Sequence, residues 1–252
     1  IGNDTKTNSL IKKSFSNKKC NLVFIKDKKR KNIKKTRYLD EHQNKLFQSN
    51  EIPYKDISND LENKVLSYLN KSLKNFDLVV VNDFGHGFLT SKIRRVLEKK
   101  SKRLAINVQS NSANLGYNFF NKYKKCDYLT IDEPEARMAT GERFGKIEIL
   151  IKKILKEIKA KNVAITYGPN GTKIVSKGKI YNVPALSSNP VDTLGAGDAF
   201  FAISSIYTLI DKEPENIAFI GNLGGSLKIQ YLGHEKYLEP DSFFPYLKSL
   251  LS

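Results

Sequence analysis

The stretch NPVDTLGAGDAFF at residues 189–201 sets two carboxylates, Asp192 and Asp198, on either side of a run of very small residues. Apolar residues follow at helical spacing, so the run lies where a turn hands over to a helix. A helix start presents unpaired N–H groups and a partial positive charge, and Gly195, Ala196 and Gly197 carry little side chain to keep an anion from them. Asp198 falls in the first helical turn beside that anion hole, where a carboxylate can take a proton from an attacking hydroxyl. The same residues are compatible with a helix start in which the glycines serve only packing and Asp198 is a capping charge. Asp192 either closes an Asx-turn or holds a nearby cation. Neither GxxxxGK[ST] nor GxGxxG occurs, which speaks against a P-loop or a dinucleotide-binding turn.

The elements that must position this turn follow from the pattern along the chain. IGND reads as a strand end leading into a short helix capped near Asp4 or Thr5. CNLVFIK, NIKKTRYLD and KLFQS, between residues 20 and 48, read as short antiparallel strands separated by charged turns, with KDKKRKNIKK (26–35) as a solvated hairpin turn. From residue 58 the pattern alternates. Helix LENKVLSYLNKSL leads to strand DLVVVND, expected to be buried on both faces, then helix SKIRRVLEKK, strand RLAINV and the amide-rich loop QSNSANLGYN. Strand DYLTI, helices PEARMAT and KIEILIKKILKEIKA, and strand NVAITYG come next, followed by a hairpin of TKIVS and KIYNV across Lys177-Gly178. Beyond the glycine turn, GDAFFAISSIYTLI, PENIAFIGNLGGSLKIQY and DSFFPYLKSLL read as helices. The order predicts an α/β fold with a mainly parallel central sheet flanked by helices, whose ligands bind at the carboxyl ends of the strands.

Bulk properties narrow the function classes. With 252 residues and 40% hydrophobic content the chain is expected to form one substantial α/β domain. No apolar run is long enough to cross a bilayer and no signal-peptide order is present, so no membrane partner and a cytoplasmic location are expected. Cys20 and Cys126 stand far apart in no paired motif, which fits a reducing compartment. The net charge of +17 raises nucleic acid as a partner, but the basic residues are overwhelmingly lysines scattered along the chain, so no nucleic-acid partner is expected. His86 forms no recognisable metal set with the other histidines.

DTLGAGD with the helix behind it resembles the signature of the PfkB family of carbohydrate kinases, which have the ribokinase-like fold. VVVNDFGHGFLT is similar to the strand and acidic turn lining the family's sugar site, LTIDEPEARMATG to its Asn-x-x-Glu strand end, and ITYGPNGTKIV to its nucleotide-binding strand and turn. The resemblance runs along nearly the whole chain as a single kinase domain, with residues 20–48 as a small β lid and the family's first strands and Gly-Gly sugar segment expected but absent before IGND. KTR, DFGHG and the amide-rich loop are most similar to the heptose-phosphate kinase branch, including proteins of ADP-heptose synthesis.

The resemblance implies ATP and Mg²⁺ as cofactors and a sugar or sugar phosphate as acceptor. It implies Asp198 as general base and the N–H groups of Gly195, Ala196 and Gly197 as stabilisers of the transferring phosphoryl group, whose charge lies on its equatorial oxygens. Thr166, Gly168 and Gly171 would line the nucleotide, with Asn222 near the adenine. Glu135 would hold the water shell of magnesium, and Asp132 stands where the family has asparagine. Without the resemblance, Asp132 and Glu135 read as a helix-capping pair, and Asn222 as a surface residue. Asp83, Asn107, Gln109 and Asn111 would hold the acceptor, although Asn107-Val108-Gln109 replaces the DPK-like stretch of typical heptose kinases. Arg37 would meet a substrate phosphate, and the lid strands would form a homodimer contact. A nucleotide- or sugar-binding remnant that no longer catalyses is the alternative reading.

Overall fold

The computed structural model describes residues 1–15, 20–42, 45–53, 55–110, 114–187, 190–233 and 235–251. Asp4 caps the first helix, α1 (Thr5–Phe15), accepting from the N–H groups of Lys6 at 3.0 Å and Thr7 at 3.3 Å. Two strands, β1 (Lys34–Leu39) and β2 (Lys45–Glu51), then pair antiparallel as a separate two-stranded sheet. The expected third strand of this lid, CNLVFIK, does not join it. Instead the Ile1 ammonium donates to Ile25 O and Asp27 N–H to Ile1 O, both at 2.9 Å, so this segment runs beside the chain start in a parallel manner. The charged run 26–35 turns at residues 28–30 and already enters β1 at Lys34.

The main sheet has the order β3 (Val79–Asp83), β4 (Leu104–Val108), β5 (Lys125–Asp132), β6 (Lys159–Thr166), β7 (Thr172–Ser176), β8 (Lys179–Val183). The first four are parallel, and β7 and β8 return antiparallel as the predicted hairpin. The sheet is therefore mixed. β4 is buried along its whole length, whereas β3 is the outer strand among the described residues and leaves Val80 exposed, contrary to its all-apolar appearance. The helix read as 146–160 stops at Glu157, because the buried, β-branched Ile158 is extended (φ −131°, ψ 134°) and leads straight into β6.

Strand alternation divides the core in two. Ile106, Leu129, Val163 and Ile165 face α2 (Asn59–Ser72), α3 (Ser91–Lys100), α4 (Glu133–Thr140) and α5 (Ile147–Glu157). Ala105, Tyr128, Ala164 and Ile174 face α6 (Ala196–Tyr207) and α7 (Pro214–Lys228). The small alanines admit Phe200 and Phe201 close to the sheet, and Gly221 lets α7 approach: a Cβ there would stand 2.5 Å from the Phe200 ring. Helix α8 (Pro240–Leu251) closes the chain. Parallel registers Asp83↔Val108, Asn107↔Thr130 and Asp132↔Thr166 bring the carboxyl ends of β3 to β6 level along one edge, which is where the glycine turn arrives.

Burial sets the two thiols apart: Cys20 is exposed, while the environment of buried Cys126 pushes its pKa well up. Native protein treated with iodoacetamide should therefore carry one label, at Cys20, and acquire the second only on unfolding. Rapid double labelling read by mass spectrometry would contradict this packing.

Candidate active site

Gly195 is the N-cap of α6 and sits at φ 80°, a left-handed conformation that glycine adopts without penalty. The loop before it is fastened at several points. Asp192 Oδ1 accepts from Leu194 N–H at 2.9 Å, the Asx-turn read from the sequence, and Oδ2 accepts from Gly233 N–H at 2.8 Å. Val191 and Asp192 N–H both donate to Ile229 O just past α7, and Lys228 Nζ reaches Gly233 O. Burial works against the Asp192 charge, but the two N–H bonds, Lys228 and Arg37 outweigh it and hold the carboxyl below its ordinary range. Asp192 is thus a brace of the loop.

The donors at the helix head differ by one from expectation. Ala196 N–H donates to Thr193 O at 3.2 Å, while the N–H groups of Gly195, Gly197 and Asp198 find no acceptor among the described residues. A Cβ on Gly197 would meet nothing within 4 Å, so the space at its side-chain position is open. Asp198 is exposed, and its carboxylate accepts a hydrogen bond from Gln109 Nε2 at 2.5 Å.

Two adjoining cavities meet at this point and share Thr166, Gly197 and Phe200. The first, about 310 Å³, is mainly apolar and brings together Thr166, Gly168, Gly171 and Asn222, the four residues the sequence assigned to a nucleotide. Asn222 is half-buried in the lining of this cavity, and both ends of its amide are hydrogen-bonded within the fold. Its Oδ1 accepts from Thr172 Oγ1 at 2.7 Å and its Nδ2 donates to Pro184 O at 2.8 Å, tying α7 to β7 and to the end of β8. The second cavity, about 250 Å³, is polar and collects Asn107, Gln109, Asp132, Glu135, Gly195 and Asp198. Asn107 is only 7% exposed; its Nδ2 is fixed by the Thr130 carbonyl and hydroxyl, while its Oδ1 has no partner among the described residues. A buried acceptor of this kind calls for a hydroxyl or water donor.

Asp132 and Glu135 form a capping box at the start of α4: Asp132 Oδ1 accepts from Glu135 N–H at 2.7 Å and Glu135 reaches back to Asp132 N–H at 3.5 Å. Glu135 Oε1 also accepts from Ser110 N–H at 2.7 Å. The capping reading is therefore correct, yet it does not neutralise the pair. Burial, with Asp132 and Asp198 adding negative charge, pushes Glu135 up to about 8 against the two N–H bonds, and burial raises Asp132 as well. This uncompensated charge and its hard oxygen donors fit a magnesium ion held through water. No group of three or more His, Cys, Asp or Glu among the described residues forms a full ligand cage.

The remaining acceptor-side assignments separate. Asp83, 2% exposed, does not line the polar cavity: Oδ1 accepts from Gly85 N–H at 3.0 Å, and Oδ2 meets Tyr123 Oη and Lys122 Nζ, each at 2.8 Å. Asp83 thus braces the Gly85-His86-Gly87 turn through Oδ1 and is paired with Tyr123 and Lys122 through Oδ2. Asn111 lies outside the described residues. Arg37 is exposed on β1, near enough for its charge to act on Asp192. Sequence reasoning missed Lys35, two residues earlier and on the same strand face. Its ammonium lies 5.9 Å from the Phe84 ring centroid, and burial first, then Arg37, lower its pKa while Asp198 partly restores it. The i, i+2 spacing of the two cations in KTR was the signal that could have found it.

A family model described as pfkB family carbohydrate kinase matches residues 1–239. The chain belongs to that family. Among curated relatives, the bifunctional protein HldE of Campylobacter curvus is 26% identical over 214 residues, covering 84% of this chain and 44% of that protein. The chain spans about half the length of the HldE relatives it matches. Ribokinase from Arabidopsis thaliana, solved with ribose and ATP, superposes with a TM-score of 0.70 at 19% identity over 92% of this chain and 75% of that one. Ribokinase from Giardia lamblia gives 0.74 at 17% identity over 99% and 81%. These similarities establish the ribokinase-like fold for this pfkB chain. No helix among its described residues is long and apolar enough to cross a membrane.

The Glu135 environment has a measurable consequence. Because the fold favours the neutral carboxyl, the native state loses stability as pH rises from the ordinary glutamate range through about 8. Glu135→Gln stays neutral and should show a smaller fall in Tm across that interval in magnesium-free melts. Parallel pH profiles for the two proteins would contradict the assigned shift.

Proposed function

We propose that this pfkB-family chain carries out ATP-dependent phosphoryl transfer to a hydroxyl of a sugar or sugar phosphate, with a heptose phosphate as the leading acceptor. The observation that carries the reading is the head of α6, where three N–H groups without an acceptor among the described residues adjoin an exposed carboxylate at the junction of an apolar and a polar cavity. Adenosine fits the apolar cavity beside Thr166, Gly168 and Gly171. The terminal phosphate then meets the donors of Gly195, Gly197 and Asp198, which favour the charge developing on its oxygens.

In the chemical step the acceptor oxygen bonds to the terminal phosphorus while its proton passes to Asp198. The bond from phosphorus to the bridging oxygen breaks, and its electron pair leaves on ADP. Asp132 and Glu135 would hold magnesium through water, and the ion would supply positive charge beside the phosphates. Asn107 Oδ1 suits an acceptor hydroxyl or its water. Lys35 and Arg37, on the lid face whose charges reach Asp198 and Asp192, suit a second anion, which favours a phosphorylated sugar over a free one. The HldE relatives and the KTR, DFGHG and amide-rich stretches support the heptose branch in particular.

ATP consumption measured with a panel of pentose, hexose and heptose phosphates should single out one acceptor class. With that acceptor, Asp198→Asn should lower kcat by roughly 10²–10⁴-fold while ATP binding by calorimetry stays unchanged. Unaltered turnover would remove Asp198 from the chemistry, and a wild type that binds ATP but consumes none with any acceptor would favour a binding-only protein.

A further inference from the structure

Asp198 is the third residue of α6, a position from which an acidic side chain ordinarily folds back onto its own helix start. That arrangement would draw the carboxylate away from any reacting hydroxyl. Here the N-cap is Gly195, which has no side chain to reciprocate, and the hydrogen bond the carboxylate accepts among the described residues comes from across the cleft, from Gln109. The two residues are separated by 89 positions in the chain, so this contact joins the loop after β4 to the phosphate-facing helix.

Gln109 is well placed to hold a neighbour still. Its main chain is pinned on both sides: N–H donates to Asp83 O at 3.0 Å, and its carbonyl accepts from Asn118 Nδ2 at 2.9 Å. Asp83 and Asn118 are themselves buried, at 2% and 5% exposure, and Asn118 also donates to Asp83 O at 2.9 Å. Only the side-chain torsions of Gln109 remain to be fixed, and the bond to Asp198 fixes them.

We infer that Gln109 is a positioning residue for Asp198: its amide takes Oδ1, stops the carboxylate from turning back onto the helix, and leaves Oδ2 to receive the proton. This rests on the reading of Asp198 as the base, and it replaces the direct acceptor contact expected of Gln109. A neutral donor orients the carboxylate without the charge of a lysine, which would pair with it and weaken it as a base. The contact also makes the geometry of the base depend on the Asp83 network under the Gly85-His86-Gly87 turn.

Two measurements on the full chain separate the contact from its role. In nucleotide-free protein, the Gln109 side-chain amide resonances, assigned from Gln109→Ala, should shift in Asp198→Asn; resonances that do not move would overturn the contact. With ATP and the best acceptor of the sugar-phosphate panel, Gln109→Ala should lower kcat by roughly 10- to 100-fold, the worth of a hydrogen bond to a charged group, with KM for ATP unchanged. Gln109→Glu matches the shape but cannot donate when ionised and should be at least as slow, whereas Gln109→Lys keeps a donor and should recover part of kcat. In the Asp198→Asn background Gln109→Ala should cost little more, as expected for a coupled pair. Wild-type kcat in Gln109→Glu, or equal losses in both backgrounds, would overturn the role. Shifted resonances in a protein that turns over no acceptor would sink the kinase reading, and the role with it, while leaving the contact standing.

Discussion

The structure depends on how the head of α6 is held, with the N–H groups of Gly195, Gly197 and Asp198 left without an acceptor among the described residues. A helix end with no partners is ordinarily satisfied by a side-chain cap, and Gly195 provides none. What keeps the turn in place instead is its attachment to α7: Asp192 and Val191 grip the chain at Ile229 and Gly233, and Lys228 closes the same loop. Helix α7 is in turn set against α6 by the close approach at Gly221 and held to the sheet by Asn222. The donors are consequently arranged before any ligand arrives, which is the condition for electrostatic stabilisation without reorganisation at the moment of reaction.

A second buried network supports the opposite wall. Asp83 gathers Gly85, Tyr123 and Lys122 around one carboxylate and passes its carbonyl to Gln109 and Asn118. Burial lowers the Lys122 pKa, Asp83 opposes that effect, and the pair survives inside the protein because both members are otherwise hydrogen-bonded. Asp83 therefore acts on the cleft through the backbone it fixes. Asp132 and Glu135 line the polar cavity together with Gln109, Gly195, Gly197 and Asp198, and the charges of Lys35 and Arg37 on β1 reach Asp198 and Asp192. Within a chain carrying +17, the polar cavity is thus a local concentration of carboxyl groups.

Much of this was legible in the sequence because its signals are local. Alternating apolar runs and helical spacing located most strands and helices from residue 58 onward, and the small-residue turn announced the head of α6 by composition alone. Three kinds of statement were not legible. Whether an apolar strand lies inside a sheet or at its outer face depends on neighbours far along the chain, which is why β3 was misjudged. Whether a polar residue is spent on its own fold depends on partners such as Thr172 for Asn222 and Lys122 for Asp83, separated from them by 50 and roughly 40 residues. Which N–H of a turn is already taken, as at Ala196, depends on backbone angles that composition does not specify. Lys35 escaped notice among many lysines because only the pleat of β1 distinguishes it from its neighbours.

The most direct test is a crystal structure of the chain with a non-hydrolysable ATP analogue and magnesium. The terminal phosphate should lie within hydrogen-bonding distance of the Gly195, Gly197 and Asp198 N–H groups, with the base and ribose in the cavity beside Gly168 and Gly171. A phosphate bound elsewhere, with the head of α6 open to solvent, would contradict the account.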